Sequence, residues 1–341
     1  MNKQIVQVRY PIKNDDDRLV LRTSLDEWQA DVQPVAALDD TFTFEITTAR
    51  SYSFFKPCLQ TQGGLKWAVG SNIVTPYPPD RILYPVFRSE LQGTISELQS
   101  LVSDHGVRYR YRIYLPPGYR ENAMRHYPVC YMNDGHNLFF PSEAFAGQTW
   151  KVQETVELLD TMNSIEPCIV VAVYPNERFH DYTEPGCDDY VEFLRRHLVP
   201  HVERYYRTIK EPEQRVVMGS SLGGVISFYL AWHYDDIFGR AACLSSTFGH
   251  DNRLFRAVED AKRRRNIKLY LDSGWPGDNF EVTKAMANLL VSRGYSLGAH
   301  LHYVTVPQAG HNEHAWSERL HLPFQYLLGF NLGLNPGLSA A

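Results

Sequence analysis

The residues best suited to chemistry lie in Arg215 to Leu230, RVVMGSSLGGVISFYL, where Gly219-Ser220-Ser221-Leu222-Gly223 satisfies the pattern G-x-S-x-G. Apolar residues fit for a buried strand precede it and a run fit for a helix follows. In that context the central serine occupies a sharp, strained turn and lifts its Oγ above a sheet. Ser220 lacks a glycine two positions away on either side, so the turn favours Ser221. A hydroxyl at a helix N-terminus lies beside backbone N–H groups free to stabilise an oxyanion. It is a poor nucleophile at neutral pH and needs an imidazole base, itself oriented by a carboxylate.

In such a fold the partners follow in the order Ser, Asp/Glu, His, each just after a later strand. Beyond the run LYLD, the segment SGWPGDN offers Asp278 in the loop as the acid, with Asp272 at the strand end as the alternative. Asp278 could also cap a helix, with Glu281 three residues on completing a capping box. Beyond LHYVTV (Leu301 to Val306), the segment PQAGHNEHAW offers His311 and His314. His311 follows Gly310 directly after the strand and is the expected base; His314 reads as a helix-face residue. Leu222 N–H supplies one oxyanion donor. The second is expected from NDGHNLFF, at Gly135 or His136, with Asn137 and the aromatics there lining a pocket. Trp150 and Trp275 also fall in loops that could face a cleft.

These residues must be positioned by the elements around them. The apolar runs YPVCYM (Tyr127 to Met132), CIVVAV (Cys168 to Val173), VVM (Val216 to Met218) and IKLYLD (Ile267 to Asp272) alternate with helical patterns. In VTKAMANLL the residues Val282, Ala285, Met286, Leu289 and Leu290 share one helical face, with Gly294 as a stop. Continuous apolar strands alternating with helices predict a mostly parallel sheet covered on both sides, with ligands at the carboxyl ends of its strands. The first eighty or so residues read differently. TFTFEI puts Phe42, Phe44 and Ile46 on one face, SYSFFKPCL follows after a short turn, and a small β-sandwich is expected. The predicted domains are residues 1–88 and 89–341.

With 341 residues, 44% hydrophobic and 21% charged, the chain has the composition of a globular protein too long for one comfortable core. A net charge of -5, with no basic block beyond KRRR at Lys262 to Arg265, argues against a nucleic-acid partner. No stretch of eighteen apolar residues and no apolar leader occurs, so no membrane partner is expected. Five widely spaced cysteines, mostly within apolar runs, fit buried reduced thiols and a cytoplasmic location. No zinc-ligand spacing is present.

From about Gly93 to Phe330 the chain resembles the esterase family that includes esterase D-like, enterochelin esterase-like and carbohydrate esterase family 1 enzymes. The matching pieces are YRIYLPPGY, YPVCYMNDGHNLF, NERFHDYTEPG, VVMGSSLGGVISFYLAWHYDDIFGRAACLSSTF, LYLDSGWPGDN and AGHNEHAW. The resemblance implies an α/β-hydrolase fold and hydrolysis of carboxylic esters by a serine nucleophile, without metal or cofactor. It makes Ser221 the nucleophile, His311 the base and Asp278 the acid, although GWPGD is a residue longer than the Gly-Thr-x-Asp/Glu turn common among relatives. It also implies that Arg178 and Tyr182, in NERFHDY, shape the acyl or alcohol site. The N-terminal segment resembles a starch- or glycogen-binding type β-sandwich, in which Trp28, Lys56, Trp67 and Asn72 stand where such modules carry similar residues. The partner implied is a small-molecule or carbohydrate ester, such as an acylated sugar or a siderophore-like ester. Alternatives are acyl transfer to a sugar or alcohol acceptor, or a non-catalytic carbohydrate-binding protein. Edge strands of the sandwich make a homodimer plausible.

Overall fold

The structure is a computed structural model and describes residues 2–87, 92–250 and 252–330. Its N-terminal part is a sandwich of two sheets. The strands are β1 (Asn2–Arg9), β2 (Arg18–Thr23), β3 (Ala36–Leu38), β4 (Thr41–Thr48), β5 (Ser53–Thr61), β6 (Gly64–Trp67), β7 (Ile73–Thr75) and β8 (Ile82–Leu83). One sheet has the order β3-β4-β1-β8; the other sets β2, β5 and β6 in line, with β7 also paired to β5. Alternation decides what faces inward: Phe44 and Ile46 of β4 join Val6 and Val8 of β1, and Leu19, Leu21, Phe55 and Leu59 close the core from the second sheet.

The rest is organised on a nine-stranded sheet. Its strands are β9 (Thr94–Ile95), β10 (Gln99–Val102), β11 (Arg108–Leu115), β12 (Val129–Met132), β13 (Ile169–Tyr174), β14 (Arg215–Ser220), β15 (Arg240–Leu244), β16 (Lys268–Trp275) and β17 (Leu301–Pro307). Their order is β10-β11-β13-β12-β14-β15-β16-β17, with β9 beside β11. Pairing is antiparallel through the β11–β13 pair and parallel from there to β17. The helices are α1 (Val152–Thr161), α2 (Arg178–Tyr182), α3 (Cys187–Phe193), α4 (Val199–Tyr205), α5 (Leu222–His233), α6 (Arg253–Glu259), α7 (Phe280–Ser292), α8 (Glu313–Arg319) and α9 (His321–Leu328). Alternate strand residues divide between two cores. Val129, Tyr131, Val171 and Val217 pack with residues of α3, α5, α6 and α7, while Cys130, Met132, Val170 and Met218 pack with α1, α8 and α9. Burial on both faces is why these strands read as unbroken apolar runs; all six residues of β14 are buried. No helix among the described residues is long and apolar enough to cross a membrane.

Two sequence expectations need correction. β16 does not stop at Asp272 but continues to Trp275, because β17 keeps pairing with it through Trp275↔Pro307. Asp272 therefore lies inside a strand, not at its end. In α7 the buried face is Thr283, Met286, Ala287 and Leu290, while Ala285 is exposed and Val282 and Leu289 are half-buried. The helix is rotated toward its small residues, which let it approach the sheet. Gly294, at φ 88°, ends it as expected.

Candidate active site

β14 ends at Ser220, and Ser221 turns the chain into α5 with φ 55° and ψ -123°. A side chain in that conformation is strained. The turn closes only because Gly219 carries none: a Cβ there would lie 2.5 Å from the Gly223 backbone. Ser221 N–H donates to Leu244 O at 2.9 Å, and Ser221 O accepts from Gly224, Val225 and Thr247 N–H at 3.1 to 3.3 Å. The N–H of Leu222, first in the helix, has no intrahelical acceptor. Ser220 is buried at the strand end.

Three strands away at the same edge, His311 follows β17. Its Nδ1 lies 2.6 Å from Asp278 Oδ1. An ionised carboxylate only accepts, so Nδ1 carries the proton and Nε2 keeps a lone pair. Asp278 is buried, whereas the His311 side chain is about a third exposed, open to whatever enters the cleft. The other carboxylate oxygen, Oδ2, accepts from Ser245 Oγ at 2.5 Å and from Gly274 N–H at 2.7 Å. Burial pushes the Asp278 pKa up, but the bonds from His311, Ser245 and Gly274 outweigh it and hold the group below the ordinary carboxylate range. No side-chain cap bond comes from Asp278; the residue before α7 is Asn279.

Asp272 has a different part. Arg319 Nε and Nη2 reach its two oxygens at 3.1 Å each, Tyr270 O–H donates to it at 2.9 Å, and burial nevertheless raises its pKa. Arg319 Nη2 also donates to Ser245 Oγ at 2.6 Å, as does Trp316 Nε1 at 2.9 Å. Ser245, Trp316 and Arg319 thus tie Asp278 to a second buried carboxylate through one hydroxyl. None stood out in the sequence, since they come from the end of β15 and from α8 with no fixed spacing. His314 is exposed and pairs with Glu318 one turn along α8.

The loop after β12 lies against the start of α5, where Asn133 Nδ2 donates to Gly223 O at 3.2 Å. Gly135 begins a short 3-10 turn through Asn137. Its Cβ would lie 2.6 Å from the Tyr174 ring, so only glycine brings this backbone so close to the sheet. His136 packs beside Tyr174, with ring centroids 6.2 Å apart. Asn137 is buried; its Nδ2 donates to Glu313 at 3.3 Å and its Oδ1 accepts from Phe145 N–H at 2.8 Å. Arg178 grips Asp134 with two bonds, 2.8 and 2.9 Å, and reaches Ser220 O at 3.4 Å. Tyr182 is buried, and its hydroxyl accepts from Asp134 N–H at 2.9 Å. Both residues brace the Asp134–Gly135 backbone against the serine turn. The signal for Asp134 was its place beside Gly135; for Glu313 there was none.

The remaining candidates divide between the two parts of the chain. Trp275 is half-exposed at the end of β16, and Trp150 is buried against Trp316 with ring centroids 5.7 Å apart. On the sandwich, Trp28 and Trp67 meet edge to face at 5.9 Å with Trp67 exposed. Lys56 Nζ donates to Gly70 O at 2.5 Å, and Asn72 is exposed.

A parallel, doubly covered sheet with a serine turn after β14 and an Asp–His pair after β16 and β17 is the α/β-hydrolase fold. Residues 103–324 match the family described as "Putative esterase", and the chain belongs to it. It is 25% identical over 179 residues to "Uncharacterized protein YbbA" of Bacillus subtilis (strain 168), a match covering 48% of this chain and 64% of that protein, a little under two thirds of its length. Among solved structures, a ferulic acid esterase superposes with TM-score 0.58 at 19% identity over 70% of this chain and 98% of its own. The enterobactin esterase FES from Shigella flexneri, solved in the presence of enterobactin, gives 0.57 at 14% identity, covering 95% of this chain and 92% of that one. At such identities the likeness is one of fold.

Proposed function

We propose that this chain hydrolyses carboxylic esters through an acyl-enzyme on Ser221. His311 Nε2 takes the proton as Ser221 Oγ attacks the ester carbonyl, and Asp278 fixes the imidazole tautomer and stabilises the imidazolium. Leu222 N–H and a donor from the Gly135–His136 turn meet the tetrahedral oxyanion, each contributing about 3 kcal/mol as in comparable sites. His311 then protonates the leaving alcohol, and water releases the acid. The observation that carries this reading is the 2.6 Å contact of His311 with a buried Asp278, at the sheet edge where Ser221 stands in its strained turn.

The substrate class proposed is an acylated sugar or siderophore-like ester. It is supported by the FES likeness across both parts of the chain and by the exposed Trp67 ring, a surface on which a sugar face can stack. All five cysteines are buried, which favours a reducing, cytoplasmic setting. The test is p-nitrophenyl acetate turnover with fluorophosphonate labelling. The native chain should show a burst and label at Ser221. Ser221→Ala should lose both with its circular dichroism unchanged, and retained turnover would overturn the assignment.

A further inference from the structure

In α5 the accessible residues form one row. Ser221 and Leu222 are half-buried at its start, Val225 and Tyr229 are half-buried further on, His233 is exposed at the end, and the other residues of the helix are buried. Ser221, Val225, Tyr229 and His233 are spaced by four, so they lie one above another on a single helical face. At 1.5 Å per residue the row runs about 12 Å from the serine to Tyr229. Val225, Tyr229 and His233 of this row floor a groove of about 250 Å³, which begins one helical turn beyond the serine. One wall is the segment from Tyr182 to Cys187; the other is His250 with Leu254 and Ala257 of α6.

Two contacts join the two sides. The Phe179 ring meets His250 edge to face at 5.3 Å, and Glu184 pairs with Arg253. Both walls are tied to the serine turn. Thr247 N–H, at the start of the turn that ends at His250, donates to Ser221 O, and Tyr182 holds the backbone of Asp134. Val225, Ile226, Tyr229, Leu254 and Ala257 make the lining mostly apolar. The one charged pair on it is half-exposed, an arrangement that contributes at most about 1 kcal/mol and can part.

We propose that this groove receives the acyl group of the substrate and is built for an extended apolar chain or ring. The inference rests on the ester-hydrolysis reading above. Geometry selects the acyl side: the leaving oxygen must face His311 to be protonated, and among the described residues no lining residue comes from the segments carrying Asp278 and His311. The substituent that points away from His311 is the one the row beneath Ser221 can follow.

The test uses two ester series on the full chain: p-nitrophenyl acetate, butyrate and octanoate, and acetates of alcohols of increasing size. Ala257→Phe narrows the groove and should lower the octanoate-to-acetate ratio of kcat/KM roughly tenfold. Tyr229→Ala widens it and should raise the octanoate-to-acetate ratio. An unchanged ratio in both variants overturns the proposal, as does an effect confined to the alcohol series. Loss of fluorophosphonate labelling in the native chain would instead sink the underlying hydrolase reading.

Discussion

The Ser245 hydroxyl has every hydrogen-bonding position engaged: it donates to Asp278 and accepts from Trp316 and Arg319. Replacing it by alanine removes the short hydroxyl bond to Asp278 Oδ2 and leaves that oxygen with the Gly274 N–H and the more distant Arg319 Nη2, 3.5 Å away, while the burial that opposes ionisation persists. Ser245→Ala should therefore raise the Asp278 pKa. A bond to a charged group contributes about 1.5–3 kcal/mol, so kcat/KM should fall by at least about tenfold. The sign for stability follows from the depressed native pKa: the carboxylate's contribution is complete above the ordinary carboxylate range and is lost as the pH falls through the native value. In the variant that contribution should be smaller and its loss complete at a higher pH. Urea denaturation between pH 3 and 7, beside a pH–rate profile, would show both shifts, and a profile superimposable on the native one would rule the role out. Ser221, Asp278 and His311 could be proposed from the sequence because each follows a strand in a fixed chain order, and the last two are in contact. Ser245, Trp316 and Arg319 act through contacts 71 and 74 residues apart in sequence, which no local pattern encodes.

At the scale of elements, the strand–turn–helix of β14 and α5 depends on missing side chains. Gly219→Ala would place its Cβ 2.5 Å from the backbone of Gly223, and backbone cannot yield as a flexible side chain can. The expected result is a chain that keeps its secondary structure by circular dichroism and loses fluorophosphonate labelling; full labelling would show that the turn tolerates the methyl. This turn could be read from the sequence because its glycines flank one serine between two apolar runs. The phase of α7 could not. Its apolar pattern pointed to Val282, Ala285 and Leu289, but Thr283 and Ala287 are small enough to let the helix settle closer to the sheet. The apolar run of β16 breaks at Asp272, and a carboxylate seldom sits in a buried strand. Arg319, from a helix beyond the next strand, supplies the counter-charge that permits it.

Across the whole molecule, the sandwich meets the hydrolase part through separate polar contacts. Tyr10 O–H and Phe87 N–H both donate to Glu121 Oε1, at 3.1 and 2.8 Å, and Asn122 Nδ2 donates to Arg9 O at 3.0 Å and Pro85 O at 3.2 Å. Ser71 and Asn163 bind across a second point of the seam. The change from two-residue alternation to unbroken apolar runs was visible in the sequence, whereas these contacts pair residues too distant for any periodicity to reveal. The conformation of Ser221 acts on this scale too, because global stability carries the cost of holding a side chain at φ 55°. Glycine would occupy that position without penalty, at a saving of roughly 1–3 kcal/mol. Ser221→Gly should then melt several degrees above Ser221→Ala, as calorimetry would reveal, and equal melting points would mean the turn is relaxed. The chain forgoes part of its thermal margin at one position, and an inert version of the same molecule would be the sturdier one.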